Sequence, residues 1–342
     1  MSLAALAREC DDKLTNEFAR AFGDDVAREL EESGDDALAS DLRRILHEND
    51  ALAAVRVAER AYGALARTKS WPKPSWRECY VLAQLRTCVA SLVEASEGSG
   101  EGRRAAARNA ARALDMTLIV GAPADALSPF VAAVAIAHDV EAIRERYARS
   151  ERESGWLFPK SAPTLDGEHR WLEHVDGRAL EAKTFKREYY SAERPVVLKG
   201  LGATWPAMNK WDDLRWWRDF HGHRSVPLEI GKYDDVANWR EEVKTMADFV
   251  DEDMLPSVSG REGADVAYLA QHQLVEQLAD LAYDFTPPEF CSKSLERINV
   301  WMGTAGTVTP CHFDTYDNLL GQVRVRTFFL VFHPGVKREA DL

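Results

Sequence analysis

Two hydrophobic periods divide this sequence, and a chain that changes period cannot be a helical bundle or a sheet throughout. The first part repeats apolar residues at helical spacing. In "DDALASDLRRILHENDALAAVRVAERAYGALAR", residues such as Leu42, Ile45 and Leu46 fall on one helical face. "SWRECYVLAQLRTCVASLVEA" repeats the pattern after the breaker "WPKP". The loops "SEGSGEG" and "GAPAD" separate further helices, and Ser128 followed by Pro129 fits a helix N-cap and first turn. The spacing predicts roughly five to seven helices in residues 1–150, as a bundle or stacked hairpins. No fixed-period repeat marks a solenoid.

"RSERESGWLFPKSAPTLDGEHRWLEHVDG" is charged, carries Pro and Gly, and has weak periodicity. It sets a linker at residues 151–177. Beyond it the pattern becomes that of short strands: "RPVVLKGL", "SVPLEIG" and "DVAYLAQHQL". "WDDLRWWRDFHG" and "TMADFVDEDM" read as short helices. "INVWMGTAGTVTPCHFD" reads as strand, Gly-rich turn, strand, and "GQVRVRTFFLVFHP" alternates as a fifth strand. Strands joined by turns predict an antiparallel sandwich or barrel in residues 178–342.

Composition narrows the function classes. The net charge of −13, from 43 basic and 56 acidic residues, argues against a uniform basic face and so against specific nucleic-acid binding. The basic run "RRAAARNAAR" reads as a solvated helix face or a site for an acidic partner. Five cysteines are scattered without a CxxC pair, which predicts free thiols in a reducing compartment. "MSLAALARECDDK" turns acidic too early for a signal peptide, and the apolar run "PFVAAVAIA" meets His138 and Asp139 before it could span a bilayer. We therefore expect an intracellular protein, nuclear or cytoplasmic, with no membrane association. No Walker loop, GxGxxG, GxSxG or HExxH motif is present.

Chemistry concentrates in "TPCHFDTYDNLL". On a strand, residues i and i+2 share a face, so His312 and Asp314 would point the same way. One imidazole and one carboxylate are two of the three ligands of the facial triad of non-haem Fe(II) oxygenases. Taken alone, H-x-D also arises by chance as a hydrogen-bonded surface pair. Histidines elsewhere have similar double readings. His221 and His223 could bind metal or simply end a helix, and His272 reads as a packed, hydrogen-bonded residue.

Four segments, "RPVVLKGLGATWPAMNKW", "SVPLEIG", "AYLAQHQL" and "INVWMGTAGTVTPCHFDTYDNLLGQV", occur in that order. Together they resemble the Jumonji-C (JmjC) 2-oxoglutarate oxygenases. The resemblance is to the subgroup with an N-terminal helical domain, described as arginyl hydroxylases or histone-lysine demethylases. It implies an α+β fold, with an all-helical domain followed by a double-stranded β-helix, the cupin-like JmjC barrel. It implies Fe(II) bound by His312 and Asp314. For 2-oxoglutarate it implies Tyr268, Thr309, Asn318 and the position of Thr327. Glu229 and Trp239 would face a protein or peptide substrate with a basic side chain, where a carboxylate suits a cation.

The chain departs from the family at two places. A lysine for the distal carboxylate of 2-oxoglutarate is expected where Thr327 stands. Arg324 and Arg326 lie beside it, directed to the opposite face by strand alternation. The second histidine ligand is expected downstream of Leu342, so the barrel is expected to be incomplete, truncated at its C-terminal side, with the third ligand absent. His333 would sit at the wrong end of its strand. Two functions follow: a JmjC hydroxylase or demethylase in an incomplete chain, or a non-catalytic JmjC-like protein-binding module.

Overall fold

The computed structural model describes residues 2–68, 73–139, 142, 145, 157, 172–235, 237–260, 265–292, 295–324, 329 and 331. They fall into two compact units. The first takes Met1–Arg152, Arg215–Leu281 and Asn299–Pro310, and the second takes Glu153–Leu214, Ala282–Ile298 and Cys311–Leu342.

The first unit opens with helices α1 (Leu3–Lys13), α2 (Asp24–Glu32), α3 (Asp36–His47), α4 (Ala51–Thr68), α5 (Pro74–Glu97), α6 (Gly100–Ile119) and α7 (Ser128–Ala137). Ser2 caps α1 by accepting the Ala5 N–H, and Pro74 starts α5 where a missing N–H costs nothing. Leu30, Leu38, Leu42, Ile45 and Leu46 are buried, none more than 1% exposed. These are the residues whose 3.6-residue spacing predicts a buried face. On α6 that face is built from Ala106, Ala107, Ala110, Ala111 and Ala113, small enough for α5 to pack closely along it. Among the described residues, one cation is buried in this core. Arg86 of α5 donates to Asp11 at 2.5 Å, to the Ile45 carbonyl at 3.0 Å and to the Thr15 hydroxyl at 3.3 Å, tying α1, α3 and α5 together.

The same unit holds a four-stranded antiparallel sheet. It contains β3 (Ser225–Ile230), β4 (Arg240–Thr245), β5 (Ala267–His272) and β6 (Val300–Gly303), in the order β4-β3-β5-β6. Val226, Leu228 and Ile230 of β3, Ala267 and Leu269 of β5 and Met302 of β6 alternate onto one buried face. A helical stretch packs against β5 and buries Met246, Phe249, Val250 and Met254. β3 pairs with β4 along its whole length, but with β5 over only two residue pairs, Glu229↔Tyr268 and Ile230↔Ala267. Beyond Leu269, β5 shifts register against β6, and Gln271 takes φ +50°.

The helices and the sheet are joined by a buried polar network. Asp115 of α6 accepts from Arg224 Nη2 at 2.5 Å and Nε at 3.0 Å, and from the Ser225 N–H at 2.9 Å. Arg224 also donates to the Gln277 carbonyl at 2.9 Å. The Gln277 amide donates to the Ser225 carbonyl at 2.8 Å, and its oxygen lies 2.6 Å from His272 Nε2.

The second unit contains β1 (Glu173–Asp176) and β2 (Val196–Lys199), paired in parallel. Its interior is fixed by Asp284, which is fully buried and accepts from Lys210 at 2.5 Å and from the Trp211 indole at 3.1 Å. Asp212, also buried, is ion-paired with Arg324.

The α+β class, helices first and an antiparallel sheet after, is as the sequence implies. Three details differ. β4, "REEVKT", was not expected, because its charged residues hide the alternation. β1 falls inside the stretch read as linker. Residues 307–314 form no strand, and neither do 321–324, the described start of the expected fifth strand. Among the described residues this segment has no ladder neighbour, and an unpaired strand does not stand alone. The rest of that fifth strand, with Arg326, Thr327 and His333, lies outside the described residues.

Candidate functional site

A row of side chains crosses the sheet of the first unit. Glu229 of β3 stands opposite Glu241 of β4 on one side and Tyr268 of β5 on the other, and Tyr268 stands opposite Gly303 of β6. Directly opposed residues share a face, so Glu241, Glu229 and Tyr268 form one polar row on the face away from Leu228 and Leu269. Burial raises the Glu229 carboxyl above its ordinary pKa, and the neighbouring Glu241 charge adds to this. Two carboxylates opposed across a hairpin repel each other, and a cation between them would relieve the repulsion. Burial also raises the Tyr268 phenol. A side-chain hydrogen bond with Thr309 acts against that rise, and the Glu229 charge adds to it.

The β3–β4 turn adds an aromatic wall. The rings of Tyr233 and Trp239 lie 5.7 Å apart. The Trp239 indole N–H is buried with no hydrogen-bond acceptor among the described residues. A buried donor left in this state is costly, and a ligand carbonyl or carboxylate would satisfy it.

Two residues that sequence reading passed over hold this row in place. A Cβ on Gly303 would come within 2.6 Å of the Tyr268 ring and 2.9 Å of the Thr307 methyl, so only glycine lets the ring lie across β6. A glycine inside a strand was the available signal. Thr304 accepts the Ala267 N–H through its hydroxyl and donates its own N–H to the Ala267 carbonyl, both at 3.0 Å. It thereby extends the β5–β6 pairing up to the Gly-rich turn. Gly303→Ala is expected to cost about 1–3 kcal/mol by overpacking. Combining it with Tyr268→Ala should recover part of that loss. Urea unfolding of the two single variants and the double variant measures the coupling, and strict additivity would contradict the contact.

The metal-ligand candidates lie in the second unit, in a segment without regular structure. His312 Nε2 is 3.7 Å from Asp314 Oδ1, and Asn318 donates its amide to Asp314 Oδ2 at 2.6 Å. The histidine and aspartate thus come together without the strand that motivated pairing them. All three are exposed, with about half of the His312 and Asp314 side-chain surfaces open. Tyr190 pins the same loop by donating to Asp317 at 2.7 Å.

Residues 182–338 match the family described as "Cupin-like domain". The chain is 37% identical over 171 residues to the Arabidopsis thaliana protein named Lysine-specific demethylase JMJ30, an alignment covering 49% of this chain and 39% of the relative. It is 35% identical over 153 residues to Lysine-specific demethylase 8 of Xenopus tropicalis, covering 43% and 33%. It is 29% identical over 169 residues to the human Bifunctional peptidase and (3S)-lysyl hydroxylase JMJD7, covering 45% and 52%. Over this region the chain is similar to JmjC-domain proteins. It spans about two fifths of the length of the first relatives it matches.

For a region similar to JmjC proteins the test is whether these residues fit Fe(II). As described, they do not. His312 and Asp314 supply two donors where a facial triad needs three. No group of three or more His, Cys, Asp or Glu able to hold a metal occurs among the described residues. Asn318, a 2-oxoglutarate candidate in the JmjC pattern, has its amide on Asp314. Arg324 is taken by Asp212, and Thr327 is outside the described residues. By contrast, Tyr268 shares a sheet face with Glu229 and is hydrogen-bonded to Thr309, all within the first unit. Three other candidate histidines have structural partners: His272 has Gln277, His221 has Asp280 at 3.2 Å, and His223 stacks on His138. No helix among the described residues is long and apolar enough to cross a membrane.

Proposed function

We propose that this chain is the substrate- and cosubstrate-receiving part of an Fe(II)- and 2-oxoglutarate-dependent oxygenase that hydroxylates or demethylates a basic side chain of a protein or peptide. One observation carries the reading. A semi-buried, raised-pKa carboxylate, Glu229, sits in register beside the hydroxyl pair Tyr268–Thr309. The carboxylate suits a lysine or arginine head group, and the hydroxyls suit an anionic dicarboxylate. Trp239 would stack on the basic side chain or give its orphaned N–H to the substrate backbone. The names of the relatives, which include a lysine demethylase and a lysyl hydroxylase, support both reaction types.

In this reading residues 1–150 are the helical domain, 151–177 a linker and 178–342 the JmjC part, in a protein of the nucleus or cytoplasm. His312 and Asp314 are two of the iron ligands, and a third donor must come from outside the described residues. Asn318 and the position of Thr327 complete the 2-oxoglutarate set.

A second reading, a peptide-binding module without catalysis, is favoured by the exposed, two-donor His312–Asp314 pair. One experiment separates the two. The protein is incubated with Fe(II), ascorbate, 2-oxoglutarate and arginine- or lysine-bearing peptides, plain and methylated. Peptides are read by mass spectrometry and succinate is read in parallel. Oxygenase activity predicts a gain of one oxygen or loss of a methyl group, matched by succinate, abolished in His312→Ala and reduced in Tyr268→Phe. Peptide binding that survives His312→Ala with no mass change establishes the second reading. Neither product nor peptide binding would defeat both.

A further inference from the structure

We propose that Asp115, on helix α6, is a positioning residue for the Glu229–Tyr268 row, so that the helical region helps build the candidate site. The proposal rests on the reading of that row as the ligand-receiving face. The argument starts from the short β3–β5 seam. Only two residue pairs join these strands, at the end that carries Glu229 and Tyr268. Toward the other end, Ser225 has no strand partner on the β5 side among the described residues. Its carbonyl accepts from the Gln277 side chain at 2.8 Å, and its N–H goes to Asp115 at 2.9 Å. β5 turns away there, with its register shift and the positive φ of Gln271.

A wedge between two strands would hinge about a two-pair seam unless its open end were fixed. Here the fixing is side-chain chemistry. Arg224 is clamped between the Asp115 carboxylate and the Gln277 carbonyl, and Gln277 holds Ser225 on one side and His272 of β5 on the other. Asp115 has no exposed surface, and it holds both Arg224 and the first amide of β3. The angle between β3 and β5, and with it the distance from the Glu229 carboxylate to the Tyr268 hydroxyl, is therefore set from the helical region. The site described above uses none of these groups directly.

The test uses the full chain with ring-13C tyrosine, the Tyr268 resonance being assigned through Tyr268→Phe. Asp115→Asn keeps the shape and removes the charge. Gln277→Met leaves the Asp115–Arg224 pair intact and removes the bridge to Ser225. In each variant the Tyr268 resonance is compared with that of Tyr62 on α4. Affinities for 2-oxoglutarate and for N-acetyl-arginine amide are followed by tryptophan fluorescence. Both variants are expected to move the Tyr268 resonance, to leave Tyr62 in place, and to weaken both ligands about tenfold, as small misplacements of a preorganised site do. If Asp115→Asn does not fold, Gln277→Met decides by the same readouts.

An unmoved Tyr268 resonance in a folded variant overturns the proposal. Loss of the fold in both variants overturns it as well, because the network would then hold the fold rather than orient the row. Should the wild type bind neither ligand, the functional reading fails, while the Tyr268 resonance still decides the positioning role.

Discussion

Asp115→Ala is expected to destabilise the first unit by about 3–5 kcal/mol, the cost of stripping one partner from a buried ion pair. The Asp115 side chain has no exposed surface, and that of Arg224 is 8% exposed. Truncation removes the acceptor of two guanidinium nitrogens and of the Ser225 N–H, with no solvent to replace it. The Gln277 carbonyl remains, but one neutral acceptor does not balance a buried guanidinium. Replacing the pair together, Asp115→Leu with Arg224→Met, should cost far less than the sum of the single changes, because no charge is then left stranded. Urea unfolding at pH 7.5 measures all three variants. A loss below about 1 kcal/mol in Asp115→Ala would show that Arg224 finds water or another acceptor.

The second large effect is on acid. His138, at the end of α7, and His223 stack with ring centroids 4.0 Å apart and planes 15° from parallel. They line a small cavity of about 20 Å³, room for one water, with His221, Arg224, Gln277 and Asp280. Burial, then the Arg224 charge, pushes His138 down to about 4. Burial, then its His138 neighbour and Arg224, pushes His223 lower still. Arg108 of α6 and His221 act in the same direction, and the Ala107 carbonyl, 2.9 Å from His138 Nε2, opposes them. Asp280 faces His221, not the stack.

Both rings are neutral in the folded protein and take protons near pH 6.5 once unfolded. The unfolded state therefore binds more protons below that pH. The stability these rings contribute is full above about pH 6.5 and drains away as the pH falls toward 4. His138 alone contributes up to about 3 kcal/mol to this loss, and His223 adds to it. His223→Phe keeps a ring on His138 but cannot protonate. Its stability should fall less steeply than that of the wild type between pH 7 and 5, in urea titrations at fixed salt. Parallel slopes would exclude the stacked pair as the source.

Reading the sequence reached those parts of this molecule that local patterns encode. Leu42, Ile45 and Leu46 announce a helix face by spacing alone, and Val226, Leu228 and Ile230 announce a strand face. The site was partly legible, through resemblance more than through chemistry. The resemblance named Glu229 and Tyr268 as separate residues in separate segments, whereas their pairing is a fact of register that no single segment holds. Asp115, Arg224 and Gln277 were illegible, because each is an ordinary polar residue until the fold buries it beside the others. β4 was missed for a related reason: Glu241, Glu242 and Lys244 look like a surface run, and only the hairpin partner turns them into a strand. His312 and Asp314 were expected to meet through strand geometry, and they meet in a segment that is not a strand.

The Asp115–Arg224 contact also bears on the order in which the chain can finish folding. Its partners are 109 residues apart, and the Arg86–Asp11 pair within the helices is separated by 75. A ribosome releases α6 long before Arg224, so the Asp115 carboxylate must stay hydrated while the helices around it already have most of their apolar neighbours. The inner face of α6 can close only when the start of β3 arrives. Contacts of such long separation pay loop-closure entropy before they return any stabilisation, which places the docking of sheet on helices late and makes it slow. The helical region is thus synthesised before the sheet and completed only after it.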